Sequence, residues 1–557
     1  MRLWATPQHS HQASIGLLRS FLLLGVCIAP FHSPLAMRSS LVLQLSALLL
    51  LLHLLLVAAA DALRHQIHSV RISHQPVATH LDLVIDTPHP HFTWQHTVDH
   101  SYTARATDQT AYQLRIQTIN HLLQHTATPL AHDSGLVKSN TSRDVRYDGP
   151  ALQSDTSYQW SLRYYLCTGA VSDWATGTFR TAFLAPNTEF NGQWIGHSLI
   201  NMNELRKEFS TPAAGLTRAT LFISGIGYYE LHVNGTQVDP SRRLDPGWTL
   251  YEQDVLYVSY DVTVLLNGTA VGGAAAAVGV RLGDGWYSQQ QNQPAFGGGH
   301  PAYGPSRLLF QLNMQSSDGS VTTVVSDSTW MGREGTVTSD SPFMGESYSA
   351  LKERSGWTLP GFVDTLSAWL PAQVLPSPLT NPNSTQYGLR LQTMDPVRAG
   401  PAALHIATSG TQNFTSGVDL TKGGTLHPIA VTGPVVGVFV YDMGQTFSGT
   451  CTVTFANVPP RVLVSVQHAE VMRAAQEQGP FRMRLGDASY LRGATNTDTY
   501  ITRGGETEQF TPKFTVQSDV THTSHCTLLG RPTAGTAPHS VTLTFDSYVC
   551  SACLHCV

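Results

Sequence analysis

Gly227-Tyr228-Tyr229-Glu230-Leu231-His232-Val233-Asn234-Gly235 reads as a strand that runs into a tight turn. Tyr, Leu and Val suit a pleated, half-buried surface. Asn-Gly supplies two consecutive residues that tolerate positive φ, as a two-residue hairpin demands. Upstream, Ala219-Thr220-Leu221-Phe222-Ile223-Ser224-Gly225 is a second apolar run, short and bounded by glycine. Further out, Tyr112-Gln113-Leu114-Arg115-Ile116 and Tyr158-Gln159-Trp160-Ser161-Leu162-Arg163-Tyr164 alternate apolar with polar residues, the period of a strand with one face buried. Charged residues make up only 13% of the chain, against 46 Gly and 31 Pro, a balance that starves surface helices of Glu, Lys and Arg. An all-β fold follows, and 557 residues exceed what one hydrophobic core organises, so two to four domains are expected.

Lys and Arg number 33 and Asp and Glu 38, a net charge of −5. Without a basic patch there is nothing to neutralise phosphates, and nucleic acid is excluded as a partner. The 25 His residues, many between His65 and His132, add positive charge below roughly pH 6.5. His89 and His91 share a strand face, but no third or fourth metal ligand stands near them.

Residues 1–62 form a leader. Met37-Arg38-Ser39-Ser40 precedes the apolar run Leu41 to Val57, which ends in Ala58 to Ala60 and Ala62. A basic start, an apolar middle and small residues at the end are the layout of a secretory signal peptide, with Met37 as the start. The chain is then expected to be secreted, with no membrane contact after cleavage. Uncleaved, Leu41 to Ala60 is long enough to anchor it in a bilayer. Asn-x-Ser/Thr sequons at Asn140, Asn234, Asn267, Asn383 and Asn413 fit a glycoprotein on that route.

Four blocks carry a family resemblance: the strand and turn at 227–235, Leu282-Gly283-Asp284-Gly285-Trp286-Tyr287, Gly345-Glu346-Ser347-Tyr348, and Tyr441-Asp442-Met443-Gly444-Gln445. In this order the chain resembles the ancillary β modules of bacterial-type α-L-rhamnosidases, glycoside hydrolase family 78. The resemblance implies tandem β-sandwiches: a fibronectin type III-like domain at 63–184, an N-terminal jelly-roll domain at 185–375 and a concanavalin-like domain at 376–516. The first rests on Ile85-Asp86-Thr87-Pro88, Phe92-Thr93-Trp94, Asp133-Ser134-Gly135 and Ser172-Asp173-Trp174, the second also on Asp245-Pro246-Gly247-Trp248-Thr249. Trp94, Trp160 and Trp174 are read as packing residues. Pro371 to Pro396 reads as a linker, because prolines at that density interrupt helix and sheet.

In some members of that family the jelly-roll region is a calcium-dependent rhamnose-binding module. Its implied partners are rhamnose-containing glycans or glycosides. A sugar presents hydroxyls and C–H groups, so a site wants carboxylates or amides beside an exposed ring. Asn234, Asp245, Asp284, Trp286 and Tyr287 are the carbohydrate-binding candidates; turn formation is the competing role for Asp and Asn beside Gly. No cofactor is required, and Ca²⁺, which takes oxygen ligands, is the ion the resemblance allows in this module. His468 and Glu470 share a strand face with no carboxyl partner that sequence identifies, and are read as structural.

Hydrolysis by this family resembles the inverting case, which needs a general acid and a general base flanking the scissile bond. The family carries them in an (α/α)6 barrel after the third β module, and twelve helices of about 11 residues need over ~130 residues. Only 557 − 515 = 42 residues follow Thr515. No catalytic residue is therefore assigned. At Gln517 the resemblance stops, and 517–557 is expected to be a divergent Cys-containing tail; if that tail is not native, the third module lacks its final strand. The tail holds Cys526, Cys550, Cys553 and Cys556 beside His522, His525 and His555, open to disulfides, free thiols or a metal. The expected function is the noncatalytic half of a rhamnosidase-like hydrolase that retains sugar binding. An active α-L-rhamnosidase and an adhesion scaffold of stacked sandwiches are the alternatives.

Overall fold

The computed structural model describes most of residues 67–399, leaving aside chiefly 78–82, 97–107, 120–129, 268–272, 289–302 and 380–387, and, between 425 and 549, a set of strands with some of their connections. The leader, Met443 to Gln445, Glu470, and the sequons Asn383 and Asn413 lie outside the described residues. Among the described residues strands dominate, only two short α-helices and one 3-10 turn interrupt them, and no helix is long and apolar enough to cross a membrane.

The first sandwich faces a sheet of Gln75–Pro76, Ile67–Ile72, His91–His96 and Val145–Arg146 against one built on Gln109–Thr118, Ser157–Leu166 and Ala175–Thr181. The period-two reading holds residue by residue: Tyr158, Trp160, Leu162, Tyr164 and Leu166 are buried, and the residues between them are not. Trp94 and Trp160 are core, as expected. Trp174 is half-buried, its ring flanked by the guanidinium groups of Arg115 and Arg163, each 4.5 Å from the centroid.

In the second sandwich Leu216–Ile226 lies between Arg307–Ser316 and Asp254–Asp261, and the opposed sheet runs Thr236–Gln237, Tyr228–Val233, Ala275–Gly283, Glu204–Ser210. Leu221, Ile223, Leu231, Val233, Val278, Val280, Leu312 and Met314 fill the space between the sheets. The predicted hairpin is present: Asn234 and Gly235 have φ of 48° and 82°, and Val233 pairs with Thr236. The proline-rich stretch is less of a linker than its composition predicts. Gln373–Val374 pairs with Ile195–Gly196, and Gly388–Leu391 runs parallel to Asp254–Asp261. Proline confines such strands to sheet edges and does not forbid them.

The third sandwich borrows strands from the second. The hairpin Val337–Ser341 and Gly345–Ser349 joins its sheet through a parallel pairing with Thr497–Ile501, and Arg242–Arg243 closes the edge of the other sheet against Val397–Ala399. Strands continue past the point where the family resemblance stops. His525–Gly530 lies between Leu463–Ala469 and Val438–Asp442, and Val541–Val549 lies between Ser448–Ala456 and Val397–Ala399. Residues past 517 thus supply interior strands. Their signal was in the text, since Val541-Thr542-Leu543-Thr544-Phe545 alternates at period two.

Candidate functional site

The loop 245–249 and the turn 284–288 meet at one end of the second sandwich. Asp245-Pro246-Gly247 is tied down on both sides: Gln392 donates to Asp245 Oδ1 at 2.8 Å, and its Oε1 accepts from Gly247 N at 3.0 Å. Arg242 donates to Asp245 Oδ2, and the Asp245 carbonyl accepts from Tyr229 N at 3.0 Å. So held, the loop presents Trp248, which stacks on Trp286 with centroids 5.2 Å apart and planes 23° off parallel. Trp248 is 60% exposed. Trp286 is half-buried, packed between the aromatic cluster of Tyr251, Tyr257 and Tyr287 and the smaller cluster of Tyr228 and Phe514. Leu250 and Met394 are also exposed, and Met394 Sδ would sit 3.4 Å from a Cβ at Gly247.

The five sequence candidates separate on this geometry. Trp286 joins the exposed stack. Asn234 is spent on its turn: Nδ2 donates to the Leu265 carbonyl at 3.0 Å and Oδ1 accepts from Ala277 N at 2.9 Å. Tyr287 is wholly buried against Tyr251 and Tyr303. Asp245 and Asp284 are both buried. Asp284 Oδ1 accepts from Ser306 Oγ at 3.2 Å, and burial pushes its carboxyl up to about 6 against the pull of Ser306 and Ser288.

Among the described residues no group of three or more His, Cys, Asp or Glu is placed to hold a metal ion, and the candidate carboxyls already accept hydrogen bonds from the chain itself. Trp248 was passed over by sequence reasoning, although its block was quoted. Nothing in a Pro-Gly-Trp turn tells that the ring will stack on another 38 residues away. His468, read as structural, is buried and paired with Asp498, Nε2 to Oδ2 at 3.1 Å.

With the geometry laid out, three family models match in chain order: the Rha78A-like N-terminal immunoglobulin domain at 68–185, the α-L-rhamnosidase N-terminal domain at 214–398 and the bacterial α-L-rhamnosidase concanavalin-like domain at 435–518. This is an α-L-rhamnosidase N-terminal region. The α-L-rhamnosidase of Streptomyces avermitilis is 32% identical over 313 residues, 56% of this chain and 26% of that protein. One from Formosa agariphila is 24% identical over 436 residues, 73% of this chain and 41% of that protein. The fold is shared with the α-L-rhamnosidase structures of "Dictyoglumus thermophilum" (TM-score 0.65, 24% identity, 86% of this chain and 48% of that one) and of S. avermitilis in complex with L-rhamnose (0.65, 22%, 87% and 57%). The chain spans between a quarter and three fifths of these α-L-rhamnosidases.

Proposed function

We propose that these modules are the noncatalytic, carbohydrate-recognising part of an exported α-L-rhamnosidase-type protein, and that rhamnose-containing glycans meet them at the Trp248–Trp286 stack. One observation carries the reading. A tryptophan held 60% exposed on a loop tethered by Gln392 and Arg242 is costly to leave in water, and exposed rings of this kind contact the C–H face of a sugar. L-Rhamnose has a methyl group where most hexoses have a hydroxymethyl, which adds apolar area for the ring to cover. The names of the relatives, and the L-rhamnose bound in one of them, point to the same sugar.

A noncatalytic role suits the carboxyls. Burial raises the pKa of Asp284, Asp340 and Glu346, and each of these buried acids already accepts a hydrogen bond from the chain itself. No cofactor is needed, since stacking and hydroxyl contacts need no metal.

Isothermal titration of the chain with L-rhamnose and with a rhamnose oligosaccharide, in Ca²⁺ and in chelator, tests this. Saturable heat that persists in chelator and is lost in Trp248→Ala is the expected result. Heat unchanged by Trp248→Ala displaces the site, and no heat at millimolar sugar leaves only a scaffold. Release of rhamnose from an aryl rhamnoside by the same purified chain would end the noncatalytic reading.

A further inference from the structure

Asp340 and Glu346 stand directly opposite each other across the hairpin that the second module lends to the third, so both side chains leave the same face of it. Both are buried, Glu346 completely. Each carboxyl reaches to a different module. Asp340 accepts from the backbone N–H of Asp284, at 2.9 and 2.8 Å, and of Gly285, at 3.1 Å, in the second. Glu346 Oε2 accepts from the N–H of Lys513 at 2.8 Å and of Phe514 at 2.9 Å, in the third. Phe514 in turn stacks on Tyr228 and lies against Gly283 of the second module.

The oxygens of Glu346 are unequal. Oε2 takes both amides, and Oε1 is buried with no hydrogen-bond partner. An ionised carboxylate spreads its charge over both oxygens and wants donors on each. A neutral acid has one carbonyl-like oxygen that accepts and one hydroxyl that carries the proton, which is the pattern seen.

We propose that Asp340 and Glu346 form a clasp that joins the second and third sandwiches, and that the Glu346 arm is closed in the neutral form and loosens when that carboxyl is forced to ionise. The groups around it favour this sign. Asp284 from the second module, Asp498 from the neighbouring strand and Glu230 from the strand Tyr228–Val233 add negative charge. The cations nearby are committed, Arg281 and Lys513 both to Glu230, and the His468 ring is hydrogen-bonded to Asp498. Burial, with Asp498 and Glu230 beside it, pushes Glu346 up to about 7 against the pull of the Phe514 and Lys513 amides; burial and Asp284 push Asp340 well above the carboxylate range. Acids raised in the folded state stabilise it fully below their unfolded value near 4.5, and that stabilisation is lost as pH rises through the folded value. The clasp is therefore tightest in acid and gives way above neutrality.

Amide hydrogen exchange of the whole chain at pH 5.5 and pH 8.5, corrected for the intrinsic rate, reads the clasp at Asp284, Gly285, Lys513 and Phe514. Protection at Lys513 and Phe514, the two amides on Glu346, is expected to fall about tenfold or more at the higher pH, while the core strand Leu216–Ile226 keeps its own. Glu346→Gln offers an amide oxygen to the same two N–H groups and has no proton to lose, so its protection should hold at pH 8.5. Protection in the unmodified chain that does not change with pH overturns the clasp, whether or not the variant folds. So does a Glu346→Gln protein that loses protection to the same extent as the unmodified chain.

Discussion

Arg281 donates to Glu204 from both Nε, at 3.3 Å, and Nη2, at 3.2 Å, and Glu204 is wholly buried. The pair is the centre of a larger network. Arg281 Nη1 also reaches Glu230 Oε2 at 2.8 Å, Arg333 donates to Glu204 Oε2 at 2.5 Å, and Lys513 Nζ lies 3.6 Å from Glu230. Five charges, three positive and two negative, from four strands and the 511–515 segment are thereby paired, and each depends on the others for its partners.

Removing Arg281 should therefore cost more than any surface ion pair. Arg281→Met leaves Glu204 with one cation and Glu230 with a distant one, and breaking a buried pair in this way typically costs about 3–5 kcal/mol. Denaturant unfolding should show a loss of that size. A change below about 1 kcal/mol, the range of exposed pairs, would mean that the network is not formed.

Acid should attack the same network at Glu230. Burial opposes its charge, but Lys513, Arg281 and His232 hold it down to about 2. A depressed carboxyl stabilises the fold above its unfolded value near 4.5, and this is lost as pH falls through the folded value. Melting temperature should hence fall between about pH 4.5 and 2. In Glu230→Gln that slope should be shallower; an identical slope would locate the acid sensitivity elsewhere.

Two glycines give opposite expectations. A Cβ at Gly227 would lie 2.0 Å from the Asp284 carbonyl oxygen and 2.7 Å from Gly285 N, both backbone atoms that cannot step aside. A Cβ at Gly505 meets nothing within 4 Å, and its φ is not in the left-handed region. Gly227→Ala should lose at least 1–3 kcal/mol, the usual range for overpacking, and disturb the Trp286 turn; Gly505→Ala should be neutral or stabilise by up to about 1 kcal/mol. Thermal melts of the two variants side by side decide it.

Asn234 offers a separate test of its assignment to the turn. Asn234→Ala removes two hydrogen bonds and puts at φ 48° a residue that tolerates the left-handed region less well than asparagine, so a loss of about 1–3 kcal/mol is expected. Sugar affinity measured calorimetrically should stay within twofold of the unmodified chain at matched folded fraction. A selective loss of affinity with full stability would return Asn234 to the binding site.

Legibility followed sequence distance. Alternation at Tyr158 to Tyr164 told which residues face the core, and Asn234-Gly235 told where the chain reverses, because each depends on residues a few positions apart. The same rule would have marked Val541 to Phe545 as a strand, had the end of the family resemblance not been taken for the end of the sheet. The candidate site was only partly legible. Asp284 and Tyr287 had the right chemistry in the right block, yet one is turned inward beneath Ser306 and the other is buried under Tyr251. Trp248 differs from Tyr287 in nothing local; it is exposed because the loop that bears it is tethered from Gln392, 144 residues further on.

By itself, then, the sequence determined that the chain is a row of β-sandwiches of α-L-rhamnosidase type, since periodicity, turn chemistry and motif order are properties of neighbouring residues. Only the tertiary structure decided that the hairpin at Val337–Ser349 leaves its own module for the next, that Asp340 faces Glu346 inside that junction, and that Trp248 finds Trp286. Those outcomes depend on which strands pair and on which charges lose their water, and both are set by parts of the chain that lie far apart until it folds.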